Sequence, residues 1–258
     1  MSSLPEPIYT RVGHTGAHEL RFQGKRVFGE LLGTTTTTQM FALAITGRLI
    51  STAEATLIDD MMTAMASADP RLWPFKLTRL ASAHGSASYG VGATIVASQG
   101  AIFGPTRFVE ISEALIELAA HATSDDEIEA RLRQGRAGFG ILYGRHDARF
   151  DALMAQLARR GHQGAYTSLV QRTVDLARAR LNVEPHVFVA IAALGLDLRM
   201  TARQIGALGM LPLVLDALPN AVEGAQQAPI ALQCLSPSVV QYVGPRPRAS
   251  ERAQRQPT

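Results

Sequence analysis

The chain is short of cysteine, of charge and of aromatic side chains. Cys234 is the only cysteine in 258 residues, so no intramolecular disulfide can form, and none of the Cys/His zinc spacings occurs. A reducing, cytoplasmic location is the expectation from that usage. Charged residues make up 18% and aromatics 6%, against 47% hydrophobic. Small apolar residues therefore dominate, which suits closely packed helices better than an aromatic-rich β-sandwich. A surface this poor in charge also suits a chain that hides part of itself in an oligomer. A distributed basic face is missing as well. The formal net charge of +3 is carried by the last fourteen residues, "PRPRASERAQRQPT", where Arg246, Arg248, Arg252 and Arg255 face a single Glu251. The rest is formally neutral, which argues against nucleic acid as a partner. Residues 246–258 read as a disordered basic tail. The opening "MSSLPEPIYT" has no apolar core, and the longest apolar stretch, around 186–196, is too short to span a bilayer, so no membrane partner is expected. There is no Walker motif, dinucleotide fingerprint or metal-ligand spacing.

What is present is mostly helical. "STAEATLIDDMMTAMASA" opens on Ser51 with Glu54 three residues on, a capping box, and Leu57, Ile58, Met61, Met62 and Met65 form one face. "SDDEIEARLRQG" repeats the signature with Ser124 and Glu127 and stops at Gly135. "TTTTTQMFALAITGRL" offers Thr caps and ends near Gly47, and "ISEALIELAAHA" and "YTSLVQRTVDLARARL" follow the same logic. "TARQIGALGMLPLVLDAL" starts at a Thr cap, and Pro212 predicts a kink. Strand signals are limited to a hairpin in "ELRFQGKRVF", turning at Gln23-Gly24, and an extended "VVQYVG" near the other end. "SASYGVGATIVASQGAIFG" and "IGALGMLPL" carry Gly and Ala where a surface helix carries Glu and Lys. Such helices approach closely and are buried all round, implying a central layer or a dimer interface. The expected fold is all-α, many packed helices behind a short N-terminal β element.

The segment "RAGFGILYGRHDAR" sets a glycine-flanked Phe139 before a dense polar cluster of Tyr143, Arg145, His146, Asp147 and Arg149, the composition of a site for an anion. With its neighbours it resembles the citrate synthases and the related citryl-CoA lyases, over roughly residues 8 to 245. "FALAITGRLISTAEATLIDDMM" is similar to their "LLLTGRLPSPAEARLLD", and "GAIFGPTRFVE" stands where they have "GPLHGGANEA". "GFGILYGRHDAR" stands for "GFGHPVYKxxDPR", "LNVEPHVFVAIAALGL" for "PNVDFYSALILRALGI", and "QYVGP" for "RYVGP". The resemblance implies a large helical subdomain (1–134 and 200–245), a small one (135–199) and a homodimer. The length is close to the compact citryl-CoA lyase module.

The family's chemistry uses one His on the thioester carbonyl, an Asp base, a second His on the oxo-acid carbonyl, and Arg residues on the carboxylates. Carried over, the first His falls at Phe103 and the second at Ile141; the base falls at Glu184 and one Arg at Arg149. Two further Arg positions fall at Gly206 and Gln241. Losing each donor removes roughly 2.7–4 kcal/mol of transition-state stabilisation, so ordinary citrate synthesis is not expected. The expectation is a divergent enzyme that makes or breaks a C–C bond beside a carboxylate, by Claisen, retro-Claisen or lyase chemistry. The alternative is a non-catalytic protein that binds or dimerises through the scaffold. Glu184 is the expected base, with His146 or His84 replacing the missing acid. Arg149, Arg145, Arg71, Phe103 and Ile141 are the expected substrate contacts, and Gly138, Phe139 and Gly140 the turn on the cofactor side. No permanent cofactor is expected; a CoA thioester is implied as substrate, beside a di- or tricarboxylate. The reading places Arg149 and Glu184 across one hollow. His186 competes as a mere helix-start residue, and Arg149 as a partner of Asp147 or Asp151.

Overall fold

The structure, a computed structural model, describes residues 8–99, 104–122, 124–135, 138–140, 146–228, 236–239, 241 and 243–244. Three short antiparallel strands open it, β1 (Gly13–Thr15), β2 (Leu20–Phe22) and β3 (Lys25–Arg26), in the order β1-β2-β3. Gln23 and Gly24 both have positive φ, 49° and 80°, the two-residue turn that matches the twist of a hairpin. Phe22 pairs with Lys25 across it.

Eleven α-helices follow among the described residues. The caps read from the sequence form as expected. Ser51 accepts from Glu54 N–H to start α2 (Thr52–Met65), and Ser124 from Glu127 N–H to start α6 (Asp125–Gln134), each with the reciprocal Glu contact. Thr36 starts α1 (Thr37–Thr46), which ends at Gly47 in the left-handed region, and Thr201 starts α10 (Ala202–Leu208). Such caps are each worth about 1 kcal/mol.

The core is organised around α9 (Val187–Asp197), whose residues 187–196 are all buried. Around it pack α5 (Pro105–His121), α7 (Ala148–Arg159), α8 (Ala165–Leu176) and α10. The apolar run around 186–196 is thus the central helix of a packed bundle. Its first turn, not its middle, meets polar side chains.

A second group consists of α3 (Trp73–His84), α4 (Ala87–Ala97) and α11 (Met210–Gly224). Helix α4 approaches α3 closely because Gly90 has no side chain: a Cβ there would lie 2.0 Å from Ser82 Oγ. The hydroxyls of Thr78 and Thr94 hydrogen-bond in the buried seam. The expectation that α4 is buried all round fails for this chain alone. Tyr89 is 60% and Val96 75% exposed, one helical stripe, because α3 and α11 cover only the Gly90–Thr94 side.

Two further expectations change. Where a kink was expected at Pro212, the helix is interrupted three residues earlier: α10 ends at Leu208 and α11 starts at Met210. Pro212 therefore sits in a first turn, where its missing N–H has no intrahelical partner to lose. Instead of an extended segment throughout, Pro237–Val239 forms a short 3-10 turn; residues 240 and 242 lie outside the described residues. By length and composition Ala202–Gly224 is apolar enough to cross a membrane, which no run was expected to be. Half of that window is buried, and its Asp216 and Asn220 bond Ser67 N–H and the Ala68 carbonyl.

Candidate functional site

Two chain segments meet at the start of α9. Gly140 N–H donates to the Glu184 carbonyl at 2.8 Å, and His186 N–H to the Gly138 carbonyl at 2.9 Å, with Phe139 and Pro185 bridged between them. Gly138 (φ 79°) is pressed against Val189 and Ile111, whereas Gly140 (φ 93°) has open space beside it. The glycine turn is thus fixed to α5 and α9 by packing on one side only.

This ladder sets His186 as the N-cap of α9 next to Asp147, the N-cap of α7. Asp147, 5% exposed, links both helices. It accepts from Arg149 N–H at 3.2 Å and from Val187 N–H at 3.0 Å. It also takes Arg149 Nε at 2.8 Å and Nη2 at 2.9 Å. Burial alone would raise its pKa; the Arg149 and Val187 donors outweigh that and hold it below its ordinary value. Arg149 Nη2 lies 3.4 Å from His186 Nε2. The His186 ring stands edge-on to Phe188, 4.2 Å between centroids, and Phe188 packs on Phe108 of α5 at 4.4 Å. Arg107 precedes Phe108, and its charge also acts on His186. Three helix starts, α5, α7 and α9, therefore converge here. Their dipoles and the guanidinium favour an anion.

Burial pushes His186 down to about 4, with Arg149 and Arg107 adding to the effect and Asp147 opposing it. The ring is neutral at physiological pH. Arg149's charge also reaches Asp216 on α11, a carboxyl that burial raises to about 6.

A second cluster adjoins the first. Arg178 donates to Glu184 Oε2 through Nε at 3.0 Å and Nη2 at 2.8 Å, and to Asp151 through Nη2 at 3.0 Å. His146 bridges the same carboxylates, Nδ1 at 3.3 Å from Glu184 and Nε2 at 3.0 Å from Asp151. The Arg178 hydrogen bonds hold Glu184 below its ordinary pKa, the His146 contact adding to them. A carboxylate held this way stays ionised but is a weaker base.

Of the residues singled out in the sequence, Glu184 and His146 meet directly. Arg149 belongs to the neighbouring cluster; its carboxylate partner is Asp147, and Glu184's cationic partner is Arg178. Arg71 is 88% exposed and pairs with Asp69 between α2 and α3, in neither cluster. His84 is exposed at the end of α3, a helix that packs on α4 and α11. Phe103, Ile141 and Arg145 lie outside the described residues. Sequence reasoning missed Arg178, and it named Asp151 only as a partner for Arg149, whereas Asp151 pairs with Arg178. Nothing in "DLARARL" separates Arg178 from Arg180, which pairs with Asp126 and Glu129 instead. Beside the glycine turn, a cavity of about 370 Å³ opens between α5 and α6, lined by Leu115, Leu118, Arg131, Leu132, Gly135 and Phe139. No metal-binding group of His, Cys, Asp and Glu occurs among the described residues.

These features, an all-helical body with a small sheet and a polar cluster at the start of a central buried helix, define the citrate synthase-like fold. Citryl-CoA lyase from Hydrogenobacter thermophilus is similar over 97% of this chain and 100% of its own, at TM-score 0.81 and 19% identity. ATP citrate lyase from Methanothrix soehngenii, solved with citrate and coenzyme A, matches 98% of this chain but 43% of its own (TM-score 0.73, 15% identity). Citrate synthase from Thermotoga maritima matches 87% and 62% (TM-score 0.61, 14% identity). No family model and no curated protein matches the sequence.

Proposed function

We propose that the chain is a divergent enzyme of the C–C lyase or synthase type. It binds a di- or tricarboxylate at the Arg149–Asp147–His186 cluster, with a CoA thioester as the reaction partner. The observation that carries this is Arg149, fixed by Asp147 where three helix starts meet, with Nη1 outside that pair and a side chain 35% exposed. Similar solved structures were obtained with citrate and coenzyme A, and with (3S)-citryl-CoA. In the synthesis direction a base takes the α-proton of the thioester, the resulting enolate adds to the ketone carbon, and the new alkoxide takes a proton from the acid, His146 in this reading; cleavage is the same path reversed. Glu184 is the base in this reading, and the glycine turn with its adjoining cavity faces the thioester. Phe103 and Ile141 supply no donor, which slows making and breaking of the C–C bond alike, so ordinary citrate turnover is not the expected activity.

Arg149→Gln removes a charge-assisted contact worth roughly 1.5–3 kcal/mol, so carboxylate affinity is expected to fall about 10- to 100-fold. Calorimetric titration with citrate, malate and oxaloacetate measures it. Equal affinity in the variant, or no binding by the parent chain, refutes the reading. One observation favours a non-catalytic role: Glu184 is committed to Arg178. Glu184→Gln separates the two, because an enzyme loses turnover of citryl-CoA or acetyl-CoA while a binding protein keeps its ligand affinity.

The active form in this proposal is a homodimer closed over α4 and α11. Tyr89 and Val96 on α4, and Leu215, Leu218 and Val222 on α11, form exposed apolar stripes at helical spacing. Val96→Glu and Leu218→Glu are each expected to shift the chain from dimer to monomer in light-scattering chromatography. A parent chain that elutes as a monomer would remove the dimer from the proposal.

A further inference from the structure

We propose that His186, with its proton on Nε2, joins Arg149 in presenting two converging donors to one oxygen of a bound carboxylate. The inference deepens the carboxylate reading above and rests on it. It starts from the first N–H groups of α9. Val187 N–H is taken by Asp147 Oδ2, Val189 N–H by the His186 carbonyl, and Phe188 N–H by His186 Nδ1 at 3.3 Å. Phe188 is buried, so a proton on Nδ1 would leave its N–H facing another donor, at a cost of about 1–3 kcal/mol. The tautomer that satisfies the helix has Nδ1 bare and Nε2 protonated.

That choice decides what Nε2 can do. It sits 3.4 Å from Arg149 Nη2, which could donate to a bare Nε2; with Nε2 protonated both are donors and cannot bond each other. Asp147 Oδ2 is 3.8 Å away, beyond hydrogen-bond distance, and already accepts from Arg149 Nη2 and Val187 N–H. The Nε2–H therefore has no acceptor within hydrogen-bond distance among the described residues. One oxygen placed between the two nitrogens reaches both at ordinary hydrogen-bond length. The helix dipoles and the guanidinium favour an oxygen that belongs to an anion. Burial, Arg149 and Arg107 keep the ring from taking a second proton near neutrality, so His186 donates without acting as an acid.

Long-range proton–nitrogen NMR on histidine-labelled protein reads the tautomer without any ligand. The expected result is a bare Nδ1 and a protonated Nε2 on His186 at pH 7, and a protonated Nδ1 overturns the proposal. Citrate titration then tests the donor. His186→Asn keeps a side-chain carbonyl to cap Phe188 N–H and removes Nε2–H. It is expected to fold and to bind citrate about 10- to 100-fold more weakly. His186→Gln, which reaches the Nε2 position with an amide N–H, is expected to hold most of the affinity. If His186→Asn binds citrate as the parent does while Arg149→Gln does not, His186 has no such role and the carboxylate site stands. If the parent binds no citrate, malate or oxaloacetate, both readings fall together.

Discussion

Gly138→Ala is expected to destabilise the chain by about 2–5 kcal/mol. Two costs combine. Gly138 has φ 79°, a region where an L side chain costs roughly 1–2 kcal/mol. An added Cβ would also lie 2.2 Å from Val189 Cγ2 and 3.2 Å from Ile111 Cδ1, between α9 and α5. Overpacking of this kind costs about 1–3 kcal/mol. At 2–4 °C per kcal/mol for a chain of this size, the melting temperature should fall by about 4–20 °C. Gly140→Ala is the control. It shares the left-handed backbone (φ 93°) but meets open space, so only the conformational cost applies, about 1 kcal/mol. Urea unfolding of both variants checks this, and equal midpoints would show that packing at Gly138 contributes nothing. Carboxylate affinity at the proposed site should suffer along with stability, because the Gly138 carbonyl holds His186 N–H and so the start of α9.

The contrast between these glycines shows where a sequence stops being readable. "GFG" marks a turn in the sequence, but which glycine is pressed against the core depends on Ile111 and Val189, far away along the chain. Helix starts were legible because capping is local: Ser51 with Glu54 and Ser124 with Glu127 need only three residues. The hairpin at Gln23-Gly24 was legible for the same reason. Arg149 and Glu184 stood out through the family resemblance, and Asp147 was one of two partners named for Arg149, yet Glu184's partner Arg178 did not stand out. Arg178 reaches Glu184 only because Asn182 turns the chain in the left-handed region after a π-helical turn at Ala177–Leu181. Asp147 acts on two helices at once, a role visible only when α7 and α9 lie side by side. Helix α4 failed differently. Its lack of a polar face was read correctly, but burial depends on what covers it, and within one chain only one side is covered.

Asp216→Asn is expected to stabilise the chain by up to about 3 kcal/mol above pH 7, an unusual sign for a buried polar substitution. Asp216 is 6% exposed, and burial raises its carboxyl from 3.8 to about 6. The native state therefore binds more protons than the unfolded chain between pH 3.8 and about 6. Stability falls as pH rises through that window, and the loss is complete above it. At 1.36 kcal/mol per pH unit the ionised carboxylate costs on the order of 3 kcal/mol. Asparagine keeps an oxygen for Ser67 N–H, which now reaches Asp216 at 2.9 Å, and cannot ionise. His186 works in the opposite direction. Its folded value of about 4 lies below the ordinary 6.5, so the unfolded state binds the extra proton and stability rises with pH between about 4 and 6.5. In the parent chain the two effects oppose each other between about pH 4 and 6 and flatten the profile. Asp216→Asn should expose the His186 rise, and His186→Asn should expose the Asp216 fall. Chemical denaturation from pH 5 to 8 reads both slopes. A gain for Asp216→Asn that does not change with pH would mean that the carboxyl is not the group titrating, and that its effect lies in packing against α2 and α3.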